Sequence, residues 1–174
     1  MTRSVRRFAL TVHITFSVGW IGAAVAYLAL VVAAMVSQDA QTLRIVWIAM
    51  ALIGWYAIVP LALTSLLTGL VMSLGTKWGL FRHYWVLFSF VLTLLAALVL
   101  LDHMQTVSVF AGVAAETDSA NADVLRGGLG GELLHAGVGL LVLLVVQALN
   151  VYKPPGLTPY GWRKQQEQRR TSQP

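Results

Sequence analysis

The stretch YWVLFSFVLTLLAALVLLDHMQTVSVFAGVAA, residues 84–115, holds one acid, Asp102, and one imidazole, His103, in a run that otherwise carries no charge-bearing side chain. It is far longer than the ~20 residues that an α-helix needs to cross a hydrocarbon core. A run of this length, without the period-2 alternation of a strand, reads as a membrane-spanning helix. Two polar groups inside it then require a reason to be there.

Working outward, three more apolar stretches, 8–36, 45–74 and 129–152, are each long enough to span. Of the 174 residues 57% are hydrophobic and 11% charged, a balance that excludes an ordinary water-soluble globule. The expected fold is an all-α, polytopic membrane protein, an antiparallel four-helix transmembrane bundle over residues 1–152. The remaining segment 153–174, KPPGLTPYGWRKQQEQRRTSQP, is polar, basic and proline-rich, and is expected to be a disordered tail. The first apolar stretch follows Arg3, Arg6 and Arg7 but exceeds the roughly 7–15 residues of a signal's apolar region, so it reads as an uncleaved anchor. Cysteine is absent, which removes disulfides, iron–sulfur clusters and thiolate ligation from consideration.

With both termini in the cytoplasm, every lysine and arginine except Arg44 and Arg126 falls on the inner side, and every acid except Glu167 on the outer side. This satisfies the positive-inside rule and predicts a multi-pass protein of the inner (plasma) membrane. The basic excess thus reports topology and contact with the lipid bilayer, and no nucleic-acid motif accompanies it. Trp78, in the inner turn, is expected to act as an interfacial anchor, and Pro60 is expected to kink the second span.

Counting about 1.5 Å per residue from the inner boundary places His103 about 29 Å and His135 about 26 Å up, on helices adjacent in sequence. Glu132 shares the helix face of His135, and Asp102 points about 100° away from His103. Three uses compete for this cluster. His103 and His135 are axial ligands of haem b, with a carboxylate fixing an imidazole tautomer. Alternatively His103, His135, Glu132 and Asp102 hold a zinc or copper ion. In the third, no cofactor is bound and the groups form a hydrogen-bonded interhelical cluster. His13 lies about 9 Å into the membrane on a face continuing through Ser17, Trp20, Ala24 and Tyr27. It is a further cofactor-ligand candidate; Thr64, Ser65 and Thr68 match its depth, and His83 lies too near the boundary.

The segments LTVHITFSVGWIGAAVAYLAL and LLTGLVMSLGTKWGLFRHYWVLFSFVLTLLAALVLLDHM resemble an uncharacterised bacterial family of predicted four-helix integral membrane proteins. That resemblance implies the topology, and the family has no established activity to carry over. The pattern of His13, Trp20 and Gly22 is also similar to the first helix of copper-resistance-D type proteins and of membrane-embedded, haem-binding protoporphyrinogen oxidases. The latter resemblance implies that His13 is a haem ligand. That class carries lysine where this chain has Ser89, four residues after Trp85, and arginine after the positions matching Tyr27-Leu28. The functional expectation is a small b-type haem-binding electron-transfer or redox component with a redox or membrane-protein partner. The alternative is a non-enzymatic structural or accessory protein, or one that handles copper or zinc.

Overall fold

The structure is a computed structural model and describes residues 2–76, 79–116 and 122–171; Lys77, Trp78 and Asp118 lie outside the described residues. Its elements are α1 (Arg3–Val36), α2 (Ala40–Ile53), a π-turn (Gly54–Ile58), α3 (Val59–Gly75), α4 (Tyr84–Ala115), α5 (Ala122–Tyr152) and α6 (Pro159–Thr171). α2, the π-turn and α3 form one continuous rod, so four helices are long and apolar enough to cross a membrane. This is the expected all-α bundle; α4 starts where its apolar run does, and the other spans start several residues earlier. Polar caps account for the difference at α1 and α2. Thr2 accepts a bond from the Val5 amide, and the Asp39 carboxylate accepts from the amides of Gln41 and Thr42, satisfying donors that the first turn leaves over. The same bonds, that from the Thr42 hydroxyl foremost, hold the Asp39 carboxyl below its ordinary range.

Short connections place the four spans antiparallel in a closed ring. α1 packs on α3 and α5, and α4 packs on α2 and α5, with α3 also against α4. The core is thickest toward the end where α2 begins. There Trp47, Leu43, Met50, Met104, Leu125, Val31 and Val107 are fully buried. Trp47 stacks on Phe110 at 4.5 Å and donates its indole N–H to the Leu125 carbonyl, which leaves no polar edge unpaired in the apolar interior. Two arginines close this end. Arg44 donates to the carbonyl of Ala114 at 2.7 Å, and Arg126 to those of Ser37 and Gln38 at 3.0 Å. Each brings a cation to a helix C-terminus, where the dipole and the unpaired carbonyls favour one. The outer faces are studded with exposed apolar side chains such as Phe8, Leu67, Phe88 and Leu134, as suits contact with lipid.

Pro60 acts through the turn before it. Lacking an N–H, and with a ring that crowds the carbonyl four residues back, it cannot extend a regular α-helix on its N-terminal side. The chain widens into the π-turn, whose closing bond runs from the Val59 amide to the Gly54 carbonyl. The Met104 side chain fills the space that a Cβ on Gly54 would occupy. Trp55, in the same turn, donates its indole N–H to the Ser108 hydroxyl at 2.9 Å.

The tail differs from expectation. Lys153 takes φ 46°, the left-handed conformation that ends α5, and Pro154 and Pro155 prevent its resumption. Beyond them Thr158 and Pro159 start α6, a pairing of hydroxyl cap and first-turn proline that the count of polar residues conceals.

Glycine on α5 has two separable roles. A Cβ on Gly128 would lie 2.8 Å from the Phe110 ring and 2.9 Å from Trp47, whereas one on Gly130 would meet nothing within 4 Å. Gly128→Leu is expected to cost about 1–3 kcal/mol of stability through overpacking. Gly130→Leu is expected to cost nothing, and thermal unfolding of the two variants in detergent measures the contrast.

Candidate functional site

The interior face of α1 explains the site's floor. Trp20 and Tyr27, seven residues and nearly two whole turns apart, share one side of the helix and are both 5% exposed. Tyr27 donates its hydroxyl to Glu132 Oε2 at 2.7 Å. Glu132, 2% exposed on α5, also faces His103 of α4, whose Nε2 lies 3.0 Å from both carboxyl oxygens. One carboxyl therefore ties α1, α4 and α5 together. The carboxyl accepts from the phenol and shares a hydrogen bond with Nε2 of His103, so two groups from other helices are satisfied by one side chain.

The two histidines meet, as the depth count predicts. Their rings stack face to face with centroids 3.5 Å apart and planes within 9°. That is not the arrangement of a bis-imidazole haem pair, in which two rings stand end-on to the metal from opposite faces of the porphyrin. Nor do His103, His135 and Glu132 converge on a point; among the described residues no group of three His, Asp or Glu side chains is placed to hold a metal ion. Asp102 is exposed and takes no part, because the next residue along a helix turns about 100° away.

A cavity of ≈ 890 Å³ opens above this floor. The buried Trp20, Tyr27 and Glu132 line it together with His103 and His135, and the exposed Leu95, Val99, Leu134 and Val138 form its rim. The rim residues are exposed on the lipid-facing surface, so the cleft opens sideways between α4 and α5. On α5, Gly127, Gly131, His135 and Gly139 recur every fourth residue along the wall, and a Cβ on any of these glycines would meet nothing within 4 Å. Among the described residues His135 has no hydrogen-bond partner; its contact is the stacked ring of His103.

His13 stands apart from this cluster. Its Nδ1 lies 3.0 Å from the Thr68 hydroxyl, which donates to the Thr64 carbonyl at 2.7 Å. The hydroxyl has one proton, so Nδ1–H is the donor to Thr68. The ring rests against Gly69, and one turn on, Ser17 bonds Ser65 at 2.7 Å. This is the partnership that matching depths on α1 and α3 imply. Ser89 is buried, and among the described residues its hydroxyl has no hydrogen-bond partner. His83 sits at the start of α4, bridged to Leu157, outside the bundle interior.

Tyr27 is the site residue that sequence reasoning missed. Its place on the His13–Ser17–Trp20 face was the available signal, since a phenol on an interior face needs an acceptor. Comparison with protein-family profiles, curated proteins and solved structures finds no match for the chain.

Tyr27→Phe removes one donor from Glu132 and is expected to cost about 1 kcal/mol. Glu132→Ala leaves the phenol and the imidazole unpartnered and is expected to cost roughly 3 kcal/mol. The double variant should lose less than the two single losses combined, because both remove the same bond; thermal unfolding of all three in one detergent gives the coupling.

Proposed function

We propose that this multi-pass membrane protein binds a flat, lipid-soluble ring molecule in the cleft between α4 and α5, with the His135 imidazole as its polar contact. The observation that carries the reading is an unpartnered imidazole on the wall of a mainly apolar, laterally open cavity of ≈ 890 Å³. Small-molecule sites combine apolar walls with a few placed polar groups, and this cleft has that composition. The open glycine positions on α5 supply a flat wall against which a ring system lies.

Haem b belongs to this ligand class, and the redox reading then rests on His135 alone as ligand. The His135 imidazole would hold such a group, which would supply one-electron chemistry to the cleft. His103, held by Glu132, serves as a neighbouring positioning group that fixes the plane of His135 by stacking. A redox or membrane-protein partner would meet the cleft at its lipid-facing rim. For orientation, the segregation of basic residues supports placing both termini in the cytoplasm, with the chain in the inner membrane.

A second reading draws on a different observation. Tyr27, Glu132 and His103 satisfy one another while nearly or partly buried, which is what a structural or accessory protein requires of an interhelical polar cluster. The copper or zinc version needs the two stacked rings to part before their nitrogens face one ion.

Absorption spectra of the detergent-purified protein, as isolated and during titration with haem, separate these readings. Binding in the cleft is expected to give a Soret band that persists in His103→Gln and is lost in His135→Ala. A spectrum with no protein-bound Soret band at any haem ratio, or one indifferent to His135→Ala, sinks the haem assignment and favours the accessory reading.

A further inference from the structure

After α5 ends at Tyr152, the chain does not leave the molecule; it returns to the turn that precedes α4. The Tyr84 amide donates to the Gly156 carbonyl at 3.3 Å, and the Thr158 amide to the Arg82 carbonyl at 3.0 Å. The Thr158 hydroxyl uses both of its capacities, donating to the Phe81 carbonyl and accepting from the Gly161 amide at 3.0 Å. Gly161 then rests directly against the Arg82 carbonyl, in a space that no Cβ could enter. Two turns further on, Arg82 Nη2 donates to Gln168 Oε1 at 3.1 Å. These contacts hold α6 by one side at both its first and third turns.

The sides that remain carry a definite chemistry. Tyr160 and Trp162 are half exposed, and Arg163, Lys164 and Arg170 are exposed. The one acid on α6, Glu167, is paired with Lys164 at 3.0 Å. Next to α6 lie the exposed rings of Phe81, Tyr84 and Tyr152, which mark the ends of α4 and α5, and α1 brings Arg3, Arg6 and Arg7 to the same end of the bundle. Rings of this kind gather at the level of lipid headgroups, so the first turn of α6 starts at the membrane surface. A 13-residue helix as polar as this one is marginal in water, and the latch alone secures one of its sides.

We propose that α6 is an interfacial helix, latched to the α3–α4 turn, that forms with the N-terminal arginines a docking face for the anionic headgroups of the surrounding bilayer. Aromatic rings at the level of the span ends, together with the solvent-exposed Arg163 and Arg170, distinguish this face from a tail that merely carries charge. The proposal is independent of what the cleft binds.

The test uses the full chain in nanodiscs of phosphatidylcholine, with or without phosphatidylglycerol, and follows tryptic cleavage within 163–170 by mass spectrometry. Cleavage is expected to be about tenfold slower in the anionic discs, and the protection should fade at high salt as exposed charges are screened. R163Q/R170Q, which leaves the Thr158 latch intact, should be cut at Lys164 equally fast in both discs. Thr158→Val, which breaks the latch, should raise cleavage in both. Equal cleavage of the unmodified chain in the two discs overturns the proposal. So does undiminished protection of R163Q/R170Q, or protection by inorganic phosphate or an RNA in phosphatidylcholine discs to the level that phosphatidylglycerol gives.

Discussion

The carboxyl of Glu132 is the constraint around which the bundle is arranged. In a hydrocarbon environment a carboxyl without partners is costly enough that the chain must either neutralise it or surround it with donors. Here it is surrounded, by a phenol from α1 and an imidazole from α4. Lipid-facing helices gain little from burying apolar surface against one another, since lipid tails are as apolar as leucine. A polar tie joining three of the four spans therefore specifies their rotation more firmly than the apolar faces do, and those faces are broad and poorly patterned. The stacked histidines follow from it, because fixing His103 leaves the His135 ring one flat surface on which to pack.

The helix ends follow a similar logic. Arg44 and Arg126 bind carbonyls at the ends of α4 and α1, so among the described residues the two arginines away from the predominantly basic end are both engaged with helix termini. At the opposite end the carbonyls of the α3–α4 turn are taken by the returning tail. Irregular backbone is tolerated here where protein groups satisfy it, and the π-turn at Gly54–Ile58 obeys the same rule inside the membrane, its wider ring closed by its own amides and its surface filled by Met104.

Much of this was legible in the sequence. Run length and composition determine four spans, and the sorting of acids and bases orders their ends. Depth counting brings His103 level with His135 and His13 level with Thr68, because rise per residue is nearly constant in a helix. Rotation about the helix axis was less legible. In nearly uniform apolar helices such as α4 nothing in the pattern says which side faces inward, so packing and not spacing decides that His103 meets Glu132 while Asp102 is exposed. The stacking of the rings, and with it the misfit to a bis-imidazole ligand pair, depends on side-chain rotamers that spacing does not encode. The tail was misread for another reason: its composition is that of a disordered segment, while its helix depends on Thr158, Pro159 and Gly161 meeting carbonyls that lie far back in the sequence.

The sideways mouth of the cleft, framed by Leu95, Val99, Leu134 and Val138, also sets the thermodynamic scale on which occupancy is read. The proposed ligand, entering there, would exchange with acyl chains and not with water. Its effective concentration is a mole fraction in two dimensions, diluted by added lipid at constant volume and indifferent to the volume of buffer. Apparent affinities for this cleft will therefore scale with the detergent or lipid present, and two laboratories that match aqueous concentration but not lipid content would measure different constants for one and the same site.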